Sequence, residues 1–145
     1  MINLEGKRAL VCGGTSGIGE ATVAALSSCG ADVVTLSRSA SGVNTISCDL
    51  EDLDSLTLSV TEEIESNGDF EILINNSGGP PSGPLIDATP NDFEKAFLRH
   101  VLASQTLVQL LLPGMKKASY GRIINIISTS VKEPIPGLGV SNTIR

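Results

Sequence analysis

The chain has 145 residues, 41% of them hydrophobic and 18% charged, which is the makeup of one compact domain with its own core and excludes a disordered polypeptide. A formal net charge of −6 argues against a nucleic acid or an anionic membrane as partner, yet a small anionic cofactor can still be held by local dipoles or a single arginine. Aromatic residues are only 3% and Trp is absent, so the core must be built from Val, Ile, Leu and Ala, which suits a sheet covered by helices on both faces.

Lys7–Gly13 (KRALVCG) is a short apolar run ending in glycines and reads as a buried strand. A helix is predicted from Gly17 to Cys29, with small or apolar residues at 18, 22, 25 and 29 and Gly30 closing it. Ala31–Leu36 is the second strand and Val43–Cys48 a weaker third. Asp52 to Ser66 places Leu53, Leu56, Val60 and Ile64 on one helical face, and Asn67-Gly68 ends it. Phe70–Ile74 is the fourth strand. Ser77–Pro90 is too rich in Gly and Pro to be anything but loop. A long helix is predicted from Asn91 to Leu112, with a stripe of Phe93, Phe97, Val101, Ser104, Val108 and Leu111, and Pro113 stops its apolar run. Arg122–Ile127 is the fifth strand.

Strands and helices alternate, and the strands are nearly continuous apolar runs. That pattern predicts an α/β fold: a doubly wound parallel sheet of Rossmann type in three α/β/α layers, with residues 1–145 as one domain. The last residues look like the start of another helix, and a five-strand sheet leaves an edge or a face uncovered, so the chain is expected to be truncated relative to a longer protein. No apolar stretch approaches the length of a membrane span, and the start MINLEGKRAL lacks the layout of a signal peptide. Cys12, Cys29 and Cys48 are odd in number and contain no CxxC. They are expected to be reduced thiols of a cytoplasmic protein, with Cys12 and Cys48 as small hydrophobes in strands. No metal site is expected.

The first strand runs directly into Gly13-Gly14-Thr15-Ser16-Gly17-Ile18-Gly19 and then into a helix. Glycines let the backbone approach a pyrophosphate without a Cβ in the way, and the free amides and dipole of a helix start favour an anion. The spacing is G-x-x-x-G-x-G, a variant of the dinucleotide fingerprint in the strand–turn–helix context that fingerprint requires. A tight structural turn is the alternative. An acidic residue closing the second strand would suit the ribose hydroxyl of NAD. Here Ser37-Arg38-Ser39 stands instead, and a planar guanidinium suits the 2′-phosphate of NADP.

These residues resemble the short-chain dehydrogenase/reductase family, particularly its 3-oxoacyl-carrier-protein-reductase-like members. Cys12-Gly13-xxx-Gly17-Ile18-Gly19 is similar to the family's TGxxxGIG, with Cys for Thr. Asn75-Asn76-Ser77-Gly78 is similar to NNAG, with Ser for Ala. Cys48-Asp49-Leu50 is similar to the family's segment at the adenine, and Gly121–Ser128 resembles the strand that delivers the catalytic Ser. The resemblance covers the whole chain, which looks like the first three-fifths of a member of usual length. It implies that Gly13, Thr15, Ser16, Gly17, Ile18 and Gly19 hold the pyrophosphate of NADP and that Arg38 holds the 2′-phosphate. It further implies that Asp49 and Leu50 border the adenine, and that Asn76 and Gly78 lie beside the cofactor ribose. The implied reaction is hydride transfer between nicotinamide and a small-molecule carbonyl or alcohol, in a homo-oligomer, dimer or tetramer.

The departures fall at the chemistry. Ser128 matches the family's Ser, but thirteen residues on, where YxxxK should begin, stand Ser141 and, four further, Arg145. His100 lies where the family usually has Asn. Tyr120, the chain's single Tyr, is followed four residues later by Ile124 and cannot supply the motif. An aliphatic hydroxyl is a far weaker acid than a phenol, and Arg145 does not titrate. His100 is expected to titrate near working pH and to substitute in a proton relay, with Ser128 and Ser141 holding the oxygen. A satisfied polar residue on the inner side of the helix is the alternative. Three functions stand open at this point: an active NADP-dependent oxidoreductase, an NADP(H)-binding pseudoenzyme or sensor, and an inactive fragment of an active parent. The stiff segment Gly78–Pro84 either lines a substrate cleft or is a rigid surface turn.

Overall fold

The computed structural model describes residues 2–145. Five strands form one parallel sheet in the order β3-β2-β1-β4-β5: β1 (Arg8–Cys12), β2 (Asp32–Ser37), β3 (Thr45–Ser47), β4 (Ile72–Asn75) and β5 (Arg122–Asn125). β1 is central, and Ala9, Leu10, Val11 and Cys12 are all essentially without solvent contact. Side chains alternate across a strand, so one face carries Ala9, Val11, Val33, Ile72 and Ile74 and the other Leu10, Cys12, Val34, Leu36 and Leu73.

Each face has its own cover. Helix α1 (Gly17–Ser28) lays Val23 and Leu26 on the first. Helices α2 (Leu53–Asn67) and α4 (Ala103–Lys117) bury Leu56, Val60, Leu107 and Leu111 on the second. Three layers result, as the alternating pattern predicts. The expected stripe of α2 is the one that packs. In α1 it is not: Ile18 is 63% exposed, and the inward residues are Gly19, Val23 and Leu26, one position on from the expected set.

The predicted helix Asn91–Leu112 differs more. It divides into α3 (Pro90–Phe97), a π turn (Leu98–Leu102) and α4, which continues through Pro113 to Lys117. A π turn adds a residue to the repeat and rotates the face that follows. After the turn the buried residues are Ala103, Leu107, Leu111, Gly114 and Met115, with Val101 exposed; before it Ala96 is buried and Phe97 is exposed. Thr89 caps α3 in a reciprocal box with Asp92, which fixes where the loop ends. The last helix, α5 (Gly139–Ile144), packs near α3. Its approach is joined to the Gly-Pro loop: Gly83 donates to the Gly137 carbonyl at 2.6 Å and Gly139 to the Gly83 carbonyl at 3.0 Å. β5 is an edge, and all four of its residues are exposed.

A half-buried cation pins the opposite end of the sheet. Arg8 donates to Asp32 at 3.0 Å, to Glu63 at 2.5 Å and to the Gly68 carbonyl, and its guanidinium lies 4.4 Å from the centre of the Phe70 ring. β1, β2 and the end of α2 meet there. Among the described residues no helix is long and apolar enough to cross a membrane, and all three cysteines are free.

Candidate functional site

The chain reverses its path across the sheet at β1, which has β2 on one side and β4 on the other. In such sheets a crevice opens beyond the carboxyl ends of the strands at that reversal. Here the turn leaving β1 forms one wall and Asn76–Gly78, leaving β4, the other. Two bonds set the turn: the Gly13 amide donates to the Leu36 carbonyl at 2.7 Å, and Asn76 Nδ2 donates to the Cys12 carbonyl at 3.2 Å. Gly13 has φ +63, and a Cβ on it would sit 2.8 Å from Asn76 Nδ2. A Cβ on Gly19 would sit 2.0 Å from the Gly13 carbonyl oxygen, so only glycine lets α1 approach the turn this closely.

Helix α1 opens into the cleft without a cap. Ser16 stands at the N-cap, but its side chain makes no bond to the helix amides. Gly17 (φ +54) has open space where a Cβ would point. The first-turn amides, unserved by a side chain, are what an anion needs. At the other end of the cleft Arg38 is 73% exposed, with Nη1 4.0 Å from Asp49 Oδ2. Beside it Thr15 Oγ1 lies 3.0 Å from Ser37 Oγ, which also accepts from the Ser39 amide at 3.2 Å. An exposed guanidinium in a cleft also lined by Thr15, Ser37 and Ser39 suits a phosphate monoester. The residues present thus fit a dinucleotide with an additional phosphate.

The cleft has a volume of about 440 Å3. Gly13, Thr15, Ser16, Gly17, Ile18, Arg38, Asp49, Leu50, Asn76 and Gly78 line it, and Gly19 lies buried beneath. Arg99, which sequence reasoning passed over, lines it too: it pairs with Glu51 and donates to the Gly78 carbonyl at 3.4 Å. Nothing in its local sequence marks it, because the π turn decides where it points.

A second cleft of about 550 Å3 shares Leu50, Asn76, Ser77 and Arg99 with the first. His100 and Arg145 line it. His100 Nδ1 lies 2.8 Å from Ser77 Oγ. Burial chiefly, and then the charges of Arg145 and Arg99, push the imidazole from its ordinary 6.5 down to about 4. The expectation that it titrates near working pH is therefore corrected: it is neutral there. Arg145 Nη2 donates to the Ile126 carbonyl at 3.2 Å. The two serines stand apart from both clefts. Ser128 Oγ accepts from the Ser130 amide at 3.1 Å and the Ser130 hydroxyl at 2.8 Å, capping the short turn Thr129–Val131. Ser141 is buried within α5. Cys12, at the base of the second cleft, is buried, which pushes its thiol up to about 12.

A family model described as short chain dehydrogenase matches residues 7–140. The chain belongs to the short-chain dehydrogenase family. Among curated family relatives it is 34% identical to 3-oxoacyl-acyl-carrier-protein reductase of Haemophilus influenzae, over 92% of this chain and 60% of the enzyme. It is 31% identical to L-xylulose reductase of Mesocricetus auratus, over 88% of this chain and 55% of the enzyme. The chain spans roughly half the length of the curated relatives it matches. Among solved structures, L-sorbose reductase from Gluconobacter frateurii, complexed with NADPH and L-sorbose, superposes with a TM-score of 0.91 at 24% identity, over 99% of this chain and 60% of that one. A short-chain dehydrogenase from Streptomyces avermitilis gives 0.87 at 25% identity, over 95% and 55%. The fold of this chain is thus the Rossmann fold of the short-chain dehydrogenases.

Proposed function

We propose that this chain binds NADP(H) and serves an oxidoreductase that transfers a hydride between nicotinamide and a carbonyl or alcohol. The uncapped start of α1, open to the cleft between Gly13 and Gly78, is the observation that carries the reading. The amides of Gly17, Ile18 and Gly19 would hold the diphosphate and Arg38 the 2′-phosphate, Asp49 and Leu50 would border the adenine, and Asn76 and Gly78 the ribose. The NADPH in the similar L-sorbose reductase supports the choice of cofactor. When bound, the cofactor supplies the hydride. The chain binds and orients it, keeps His100 neutral beside it, and holds Arg145 as a fixed positive charge. His100 and Arg145, which line the second cleft, are the proposed catalytic residues; Ser128 and Ser141, read from the sequence as their partners, line neither cleft. On this reading residues 1–145 are one nucleotide-binding domain, shorter than a full-length member, and the protein is a cytoplasmic homo-oligomer.

A second reading, binding without turnover, draws support from one observation. Ser128 and Ser141 stand off both clefts, and no phenol takes the place of the missing Tyr. Calorimetric titration with NADPH and NADH, followed by 340 nm absorbance against a panel of carbonyls, separates the two. The proposal expects NADPH to bind more tightly than NADH, Arg38→Ala to remove that preference, and at least one carbonyl to be reduced. Binding with no turnover on any carbonyl would leave the second reading. Equal affinities unaffected by Arg38→Ala would end the NADP assignment.

A further inference from the structure

Arg99 stands between the two clefts and lines both. Its guanidinium is held on two sides: Nη2 pairs with the Glu51 carboxylate, and Nη1 donates to the Gly78 carbonyl at 3.4 Å. Glu51 belongs to the turn 49–52 that leads from β3 into α2, and Gly78 to the segment that leaves β4. Both segments line the first cleft. Among the polar contacts of the described residues, only those of Arg99 join the two.

The turn 49–52 is ordered from within. The Glu51 amide donates to Asp49 Oδ1 at 3.0 Å, and the Asp52 amide to the Asp49 carbonyl at 3.1 Å. The other oxygen of Asp49 lies 4.0 Å from Arg38 Nη1. One run of polar contacts therefore passes from Arg38 through Asp49 and Glu51 to Arg99 and Gly78. The Arg99 and Glu51 side chains are only 25% and 24% exposed, so their pairing is screened less than that of a surface pair. A guanidinium already committed to a carboxylate and a carbonyl acts on the walls of the cleft and has little charge to spare for a ligand phosphate.

We propose that Arg99 is a positioning residue for the adenosine half of the dinucleotide and acts through Glu51. The bridge fixes the spacing between the turn that borders the adenine and the segment that borders the ribose. Without it the turn keeps its internal bonds but loses its polar tie to the segment after β4. The π turn between α3 and α4 is what sets Arg99 at this junction. The inference rests on the dinucleotide reading above and adds to it a pair of residues that hold no phosphate.

The test is a double-mutant cycle read as nucleotide affinity. NADPH and adenosine 2′-phosphate 5′-diphosphate, which lacks the nicotinamide riboside, are titrated by calorimetry into the chain and its Arg99→Ala, Glu51→Ala, doubly substituted and Arg99→Lys variants, with thermal midpoints as the check on folding. The bridge predicts that each alanine variant weakens both nucleotides by about tenfold and that the double variant weakens them no further. Arg99→Lys, which keeps a cation within reach of Glu51, regains most of the affinity, a rescue that a merely structural loss would not show. Should alanine unfold the chain, Arg99→Gln and Glu51→Gln carry the same comparison. If Glu51→Ala costs nothing while Arg99→Ala does, Arg99 touches the nucleotide directly and the proposal is overturned. Losses that add in the double variant overturn it, as does no loss in either single variant. A loss confined to NADPH, with the truncated nucleotide unmoved, overturns it by assigning Arg99 to the nicotinamide half. If the unaltered chain binds neither nucleotide, the dinucleotide reading itself fails and the bridge's role falls with it, a result distinct from the others.

Discussion

Asn76 reaches from the end of β4 to the end of β1, where its Nδ2 donates to the Cys12 carbonyl at 3.2 Å. One side chain therefore sets the width of the first cleft and backs the positive-φ Gly13. Asn76→Ala leaves the Cys12 carbonyl without that partner. It is expected to lower stability by about 1–2 kcal/mol in urea unfolding and to weaken NADPH binding in parallel.

Two glycines of one turn should fail differently. At Gly19 an added Cβ would lie 2.0 Å from a backbone oxygen, and neither chain can yield cheaply. At Gly17 the space is open, and the penalty is the φ of +54, about 1–2 kcal/mol for a non-glycine residue. Gly19→Ala should thus lose the folded state first, seen as a large drop in thermal midpoint. Gly17→Ala should stay folded and lose NADPH affinity, because its methyl group stands where the diphosphate binds. Thermal scans and titrations on the two variants check the contrast.

Arg8 joins β1, β2 and α2 through Asp32, Glu63 and the Gly68 carbonyl, and only 14% of its side chain is exposed. Arg8→Met keeps the apolar stem and strands the half-buried Glu63 carboxylate. A loss of about 2–4 kcal/mol is expected, readable by denaturant titration, with no change in nucleotide affinity beyond that of stability.

His100 links stability to pH. Its folded-state value near 4 lies below the ordinary 6.5, so between these the unfolded chain takes up a proton that the folded chain refuses. The contribution is full above pH 6.5 and is lost as the pH falls toward 4. Unfolding free energies across that window should slope upward with pH, and His100→Gln should flatten the slope. An unchanged slope would show that Arg99, Arg145 and burial do not hold the ring neutral.

Much of the fold was legible because the signals were local. Nearly continuous apolar runs mark the strands, and the helical face of Leu56 and Val60 is the one that packs. The glycine turn and Arg38 announce themselves by composition and position, and all but the buried Gly19 of the cofactor residues named from sequence meet in one cleft. What stayed hidden depends on tertiary context. The π turn has no sequence mark, yet Val101, Arg99 and His100 lie in it, Val101 exposed and the other two lining the clefts. Pro113 reads as a stop, but α4 continues through it to Lys117. The low pKa of His100 follows chiefly from its burial, then from Arg145, distant in sequence, and from the adjacent Arg99, and the burial depends on how the π turn packs.

Central to the account is a diphosphate held by the open amides of α1. The most direct test is a 1H–15N spectrum of the chain during NADPH titration. The amide signals of Gly17, Ile18 and Gly19 should move together and saturate with the calorimetric affinity, and the same signals should respond to adenosine 2′-phosphate 5′-diphosphate. If NADPH binds while those three amides stay still, or if no amide of the turn responds at saturating nucleotide, the account is contradicted.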